Sequence, residues 1–451
     1  MKHESQLARL GLFDAKVPRY TSYPTAPHFH AGVGGGDFAD WLRAVPEGGA
    51  VSLYLHVPFC RRLCWFCACR TQGVTSESPV VNYVETLKQD LRHARSALPD
   101  GVRLSRLHWG GGTPTILGAG MIADLAATVR ELFPFAEDAE FSVEIDPNEV
   151  DAARLDALAE AGMNRASIGV QDFDPEIQKV IGREQSFEVT RDAVRELRAR
   201  GIRSLNADIL YGLPYQDNAR ITESTKKLLE LEPDRVALYG YAHVPWMARR
   251  QTIIPVEALP SPEARLQLFD TARRLFVWAG YHEIGIDHFA RPGDGLETAL
   301  KAGRLRRNFQ GYTDDQSEVL IGLGASAISR FPQGYAQNAS RTAEYQAKVR
   351  AGEFSTARGL VFTADDILRG RVIEELMCQF RADLAALERE CGAQEGVLQP
   401  LAEAAARKFA GVVKLDGRVL DIPHEGRPVT RMIARAFDAY EMSESGHSSA
   451  I

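Results

Sequence analysis

The sequence has no stretch of about 18 consecutive apolar residues, so a transmembrane helix is not expected. Its first residues, MKHESQLARLGLFDAKVPRY, lack the charged start, apolar segment and small-residue cleavage site of a secretory signal. A cytoplasmic location is therefore expected. Positive charge is not in excess either. The chain has 53 Lys and Arg against 60 Asp and Glu, a formal net charge of −7. That argues against a chain-wide nucleic-acid-binding role and leaves room for a local basic pocket. No repeat and no low-complexity tract is present. Cysteine is scarce, with six in 451 residues, and a reducing compartment disfavours structural disulfides.

Against that scarcity, four cysteines fall within the run YLHVPFCRRLCWFCAC (54–69). Cys60, Cys64 and Cys67 form C-x3-C-x2-C, and Cys69 stands just beyond. Thiolates ligate soft metals and iron–sulfur clusters. Three on one loop can hold three irons of a [4Fe–4S] cluster and leave the fourth open. The alternative is a zinc knuckle with Cys69 as fourth ligand, although structural zinc sites usually use two separated pairs. Cys378 and Cys391 lie far along the chain in helical segments and read as core residues.

Six segments read as strands: 51–59, 104–110, 139–146, 165–172, 204–212 and 235–242. Helical patterns separate them. Val80, Val84, Leu87, Leu91 and Ala94, for example, share one helical face. This alternation predicts an α/β fold with a parallel sheet, a partial (β/α)6 TIM-like barrel. Polar and glycine residues gather towards the strand ends: Cys60, the WGGGTPT loop, Glu144, Gln171, Asp208 and Ala242. In such barrels the C-terminal strand ends carry the chemistry, so these residues are expected to converge. Glu144, Gln171 and Asp208 together suggest a polar ligand. Tyr54 and Phe66 flank or interrupt the cysteine run as either core or platform.

Residues 1–40, containing HAGVGGGD (30–37) as a flexible turn, read as an N-terminal arm, and 41–345 as the catalytic domain. Residues 346–451 read as a mostly helical, winged-helix-like domain, with a hairpin in VVKLDGRVLDIP followed by a helix in RPVTRMIARAFDAY. Residues 361–451 hold 11 Lys and Arg against 15 Asp and Glu, so a lid or packing role fits this domain better than DNA binding.

The cysteine triplet after a first strand, with a glycine-rich loop after the second, resembles the radical S-adenosylmethionine (radical SAM) superfamily. VPRYTSYPTAPHF, YLHVPFCRRLCWFCAC, LHWGGGTPT, GVQDFDPEIQ, DILYGLP, YAHVP, GIDHFARP and RNFQGYT are similar to the oxygen-independent coproporphyrinogen III oxidases. The likeness is close over about residues 17–345 and looser beyond. Cys69 and the PRYTSYPTA arm point to this family rather than its relatives.

The resemblance implies one [4Fe–4S] cluster on Cys60, Cys64 and Cys67, with Cys69 not a ligand. It implies two SAM molecules. The first would be contacted by Tyr54, Gly111, Glu144 and Ile328, the second by Phe66, Gly112, Thr113, Gln171, Arg183, Asp208 and Ala242. Cys69, Tyr54 and Phe66 are the implied catalytic residues, Phe66 lying between the two SAM molecules. The implied reaction decarboxylates two propionates of coproporphyrinogen III to vinyls, giving protoporphyrinogen IX. A SAM-derived 5′-deoxyadenosyl radical takes a hydrogen from the propionate β-carbon, and CO2 and one electron leave. Arg19 is a candidate for binding substrate carboxylates. The implied partners are coproporphyrinogen III and an electron donor, protein or small reductant, with no nucleic acid and no membrane span, the chain acting as a monomer. The alternatives are a haem-binding chaperone of the superfamily or a related enzyme acting on another tetrapyrrole. Three positions depart from the family pattern: Ala68 for glycine, Arg70 for asparagine and Gly182 for asparagine.

Overall fold

Six parallel strands form in the expected segments: β1 (Ala50–Val57), β2 (Arg103–Gly111), β3 (Phe135–Ile145), β4 (Arg165–Gln171), β5 (Ser204–Tyr211) and β6 (Arg235–Gly240). The computed structural model describes residues 5–441 and 449–451. β3 starts at Phe135, earlier than its apolar pattern begins, because Phe135 pairs with Leu104 across a register shift. The crossover helix Ser78–Ala97 buries Val80, Val84, Leu87, Leu91 and Ala94, the face that its periodicity marks.

The sheet is wider than six strands. It has twelve, and β1 has a second parallel neighbour in β9 (Leu320–Leu323). The other additions are β7 (His282–Ile284) and β8 (His288–Ala290) beside β6, and β10 (Ile328–Phe331), β11 (Gly334–Asn338) and β12 (Thr356–Val361) beyond β9. The order is β12-β11-β10-β9-β1-β2-β3-β4-β5-β6-β8-β7, and no pairing among the described residues closes the barrel. The added strands are three to six residues long, too short for alternation to mark them.

Two expectations change. The segment read as a flexible glycine turn starts the helix Gly35–Arg43. Asp37 accepts the Gly34 N–H at 2.8 Å, and Phe38, Trp41 and Leu42 bury in the main core. That burial offsets the entropy cost of the glycines. The helix expected in RPVTRMIARAFDAY is broken into 3-10 turns around Thr430–Ala434, with Pro428 at its start. The hairpin forms, Lys414–Asp416 against Val419–Asp421.

Most buried apolar residues fall into a large cluster against the sheet and a second around helix Ala364–Gln379, with three smaller clusters besides. Leu12, Val17, Tyr20 and Tyr23 of the N-terminal segment belong to the second cluster. The Tyr20 hydroxyl donates to Asp438 at 2.9 Å.

Candidate active site

Parallel strands deliver their C-terminal ends to one rim, and the cysteine loop follows β1 there. Each of its three candidate ligand sulfurs has a donor aimed at it. Thr113 Oγ1 lies 3.5 Å from Cys60 Sγ, Arg183 Nη1 3.6 Å from Cys64 Sγ, and the Cys69 N–H 3.4 Å from Cys67 Sγ. Hydrogen bonds to sulfur stabilise thiolates and tune iron–sulfur centres. The Cys69 thiol also bonds to Cys67, which pulls Cys67 down to about 6 and pushes Cys69 well above its usual range. Burial pushes Cys60 up to about 11, so its loss of a proton requires metal or another cation. All six cysteines are free thiols, and among the described residues no group of three His, Cys, Asp or Glu is placed to hold one metal ion. Thiolates that each bind a different iron need not meet at one point. The donor set therefore fits a cluster better than a zinc knuckle.

The glycine loop is shaped by close approach. Gly111 has φ +111°, and a Cβ there would lie 2.5 Å from the His56 ring. A Cβ at Gly110 would reach 2.6 Å from Glu144 Oε1, and one at Gly112 2.6 Å from the Phe59 carbonyl. The Gly111 N–H donates to Glu144 Oε2 at 3.0 Å, which fixes that carboxylate over the rim. Tyr54 bonds to His56 Nδ1 at 3.0 Å and stacks on His108, with 5.6 Å between centroids. Burial raises the Tyr54 phenol and lowers the His56 imidazole, so both stay neutral near pH 7.

Gln171 ends β4 with φ +68°, at a register shift against β5. This left-handed residue turns the side chain at the rim, a strain that accumulates at ligand sites. Arg183 donates to the Gly169 carbonyl at 2.8 Å and pairs with Asp146 at 3.3 Å. Its Nε is buried with no partner, an orphan donor suited to a carboxylate-bearing ligand. Asp208 does not pair with Arg183. It accepts from Asn206 Nδ2 at 2.8 Å, and burial raises it to about 7, although part of its surface faces the site.

Gly182 has φ +69°, and a Cβ there would sit 2.9 Å from the Trp65 ring. The left-handed backbone accounts for glycine in a position where asparagine is the other tolerated type. Ala68 does not have positive φ, so alanine fits without strain.

Phe66, like Tyr239 and Leu259, packs against the small apolar cluster that holds Tyr241, and Gln251, fully buried, ties the Phe66 carbonyl (2.6 Å) to that of Ala242 (3.1 Å). Ile328 stands further off, on β10. It packs with Phe29 and Tyr335 and reaches the rim through Gly322, the register partner of Tyr54.

Beside Ala242 a cavity of about 670 Å³ opens between β6 and the C-terminal helices. Arg19 and Arg431 face it without an ion-pair partner among the described residues, donating only to backbone carbonyls, and Arg265 donates to the Tyr241 carbonyl at 2.8 Å and to an Ile451 oxygen at 3.2 Å. Burial, and then Arg19, pulls Arg431 down to about 9. Arg307 stacks over Tyr312 at 4.4 Å and leaves Nε and Nη1 without a hydrogen bond, Nη1 pairing at 3.7 Å with Asp287. Only Arg19 was a candidate from the sequence. Arg265, Arg307, Arg431 and Gln251 carried no local signal, because their value lies in tertiary placement.

Residues 54–228 match the Radical SAM superfamily. Over 451 residues the chain is 65% identical to the oxygen-independent coproporphyrinogen III oxidase of Paracoccus denitrificans, covering 100% of each chain. It is 38% identical over 442 residues to that of Escherichia coli, covering 96% of this chain and 95% of the other. The solved coproporphyrinogen III oxidase from Escherichia coli, described as a radical SAM enzyme, aligns with a TM-score of 0.90 at 36% identity, covering 95% of this chain and 100% of that one. With the cysteine loop, glycine loop and parallel rim in place, the chain belongs to the oxygen-independent coproporphyrinogen III oxidase family of radical SAM proteins.

Proposed function

We propose that this chain oxidises coproporphyrinogen III without oxygen, turning two propionates into vinyls with loss of CO2 to give protoporphyrinogen IX in haem biosynthesis. The observation that carries the reading is the arginine-walled cavity whose wall residue Ala242 is tied to the cysteine loop through Gln251. A tetrapyrrole bearing four carboxylates needs an apolar slot with cations. Tyr211, Tyr239, Leu259 and Phe269 wall this one, and Arg19, Arg265, Arg307 and Arg431 supply forks suited to carboxylates. Its volume falls in the range of roughly 300–1,000 Å³ of ligand pockets.

Cys60, Cys64 and Cys67 would hold one [4Fe–4S] cluster. When bound, it supplies the one-electron chemistry that makes SAM a hydrogen-abstracting agent. Tyr54, Gly111, Glu144 and Ile328 would hold a first SAM; Phe66, Gly112, Thr113, Gln171, Arg183, Asp208 and Ala242 a second. The unpartnered Arg183 Nε and the turned Gln171 support the second site. Phe66, between Cys64 and Cys67 on the loop, packs on the apolar cluster that holds Tyr241 of the cavity wall, which supports its place between the two SAM molecules. The Cys69 thiol keeps a proton against Cys67 Sγ.

The same reading takes in an external electron donor and a cytoplasmic monomer. One chain supplies every residue named, and no helix among the described residues is long and apolar enough to cross a membrane. It keeps the division at 1–40, 41–345 and 346–451, supported for the C-terminal part by the second apolar cluster, which is built mostly from residues after 365 together with Leu12, Val17, Tyr20 and Tyr23 of the arm. The test is anaerobic reconstitution with coproporphyrinogen III, SAM and a reductant. Protoporphyrinogen IX, with two CO2 per product, is expected. Haem binding without turnover would instead make the chain a haem carrier.

A further inference from the structure

A second groove, of about 880 Å³, lies along the outer side of the cysteine loop, with Cys69 and Ala68 in its wall. Five arginines line it, Arg70, Arg249, Arg250, Arg341 and Arg350, and no Asp or Glu does. The chain as a whole has a net charge of −7, so this concentration runs against its balance. None of the five has an ion-pair partner among the described residues. Arg250 donates to the Cys69 carbonyl at 3.1 Å and to Thr71 at 2.9 Å, and Arg350 to the Asn82 carbonyl at 3.2 Å. Arg70, Arg249, Arg341 and Arg350 are exposed. Glu77 and Glu344 adjoin lining residues in sequence but do not line the groove. Two apolar side chains of the same lining reach solvent, Leu63 at 38% and Met247 at 60% exposure.

We propose that this groove docks a small acidic protein that carries one electron. The proposal rests on the radical SAM reading above. It commits to a protein occupant because four of the five arginines are exposed and share an open groove with the exposed apolar side chains of Leu63 and Met247, rather than being enclosed in a slot. Opposite charge steers encounter and sets orientation, and the apolar centre holds the contact once water is expelled. The position suits the task. The docked surface is the loop that carries Cys60, Cys64 and Cys67, and Arg250 bonds it directly. The carrier would be oxidised by one electron and the iron–sulfur centre on those cysteines reduced by one, with no atom or proton transferred.

The test uses reconstituted protein and the combined variant Arg249→Glu, Arg341→Glu, Arg350→Glu, three exposed positions outside the catalytic site. The probe partner is an acidic flavodoxin. Its Kd is measured by calorimetry at low ionic strength, and cluster reduction by stopped-flow bleaching. Photoexcited deazariboflavin, small and uncharged, serves as the control reductant. The expected result is a Kd and a reduction rate with flavodoxin at least tenfold poorer in the variant, with bleaching by deazariboflavin unchanged. The wild-type flavodoxin rate should fall steeply with added salt. Unchanged flavodoxin binding in the variant would overturn the proposal. So would equal loss with both reductants, or a variant that loses affinity for coproporphyrinogen III instead. Failure of the wild type to make protoporphyrinogen with either reductant would strike the substrate reading and leave the docking measurements standing.

Discussion

Gln251 donates from one amide nitrogen to the carbonyls of Phe66 and Ala242, so a single buried side chain fastens the cysteine loop to the end of β6. Its oxygen accepts the Val244 N–H at 2.5 Å. Gln251→Ala leaves two carbonyls and one N–H unpaired in a dry place. The expected cost is about 1–3 kcal/mol for each group left unsatisfied. Melting of the metal-free protein should fall accordingly, and the reconstituted variant should lose iron faster on gel filtration than the wild type.

Serine in place of Cys60, Cys64 or Cys67 is expected to abolish the brown chromophore. Cys69→Ser is expected to keep iron and lose turnover, because the donor to Cys67 includes the Cys69 backbone N–H, which serine retains. Iron and sulfide analysis of the four variants checks this. A Cys69 variant without iron would restore the four-thiolate zinc reading.

Arg183→Ala should retain the cluster and bind SAM at about one per chain, where the wild type binds two. The salt bridge that would have made this arginine merely structural, to Asp208, is absent, and its Asp146 contact is long at 3.3 Å. Losing one partner of a buried charged contact costs about 2–5 kcal/mol, or roughly 30-fold and more in binding. Equilibrium dialysis with labelled SAM under argon decides it.

Asp208 binds its proton more tightly in the folded chain than its ordinary carboxylate value of 3.8, up to about 7, because burial disfavours the charge. Between these pH values the native state holds the extra proton, so stability falls as pH rises through the window. The full shift corresponds to about 4 kcal/mol as an upper bound, lessened by water in the site. Asp208→Asn keeps the acceptor for Asn206 and is expected to raise the melting temperature of the ligand-free protein at pH 8 but not at pH 4. SAM binding should weaken in the same variant. Thermal scans at the two pH values, with and without SAM, check both halves.

Removing residues 1–26 takes Leu12, Val17, Tyr20 and Tyr23 out of the second apolar cluster. Each large buried side chain lost costs roughly 2–5 kcal/mol. The truncated protein should therefore melt in two steps, the C-terminal part first, while keeping iron. Turnover should be lost with Arg19, whose guanidinium reaches the Gly240 carbonyl at 2.9 Å. A truncated protein with full activity would remove the arm from the site.

The six long strands and the first crossover helix were legible because burial imposes a period on their residues. The cysteine and glycine loops were legible because thiols so spaced have few other uses. β9 was not, since four residues carry no period, yet it completes the surroundings of Tyr54. The arginines of the cavity were not legible either: Arg265 sits on a helix with an ordinary half-buried pattern and Arg431 on a five-residue helix too short to show one, and only packing turns them inward. The bulge at Gln171 and the clamp at Gln251 are set by distant partners, which a local reading of sequence does not reach.

The clamp has a bearing on how the protein is made. The cysteine loop leaves the ribosome early, but Gln251 and Arg250, which fasten it, and β9, which flanks β1, are synthesised much later. Contacts between such distant positions form slowly. For most of translation the four thiols are thus exposed on a loop without its frame, open to oxidation and to stray metals. The cysteine loop therefore gains its frame only after Gln251 and β9 have been added to the chain.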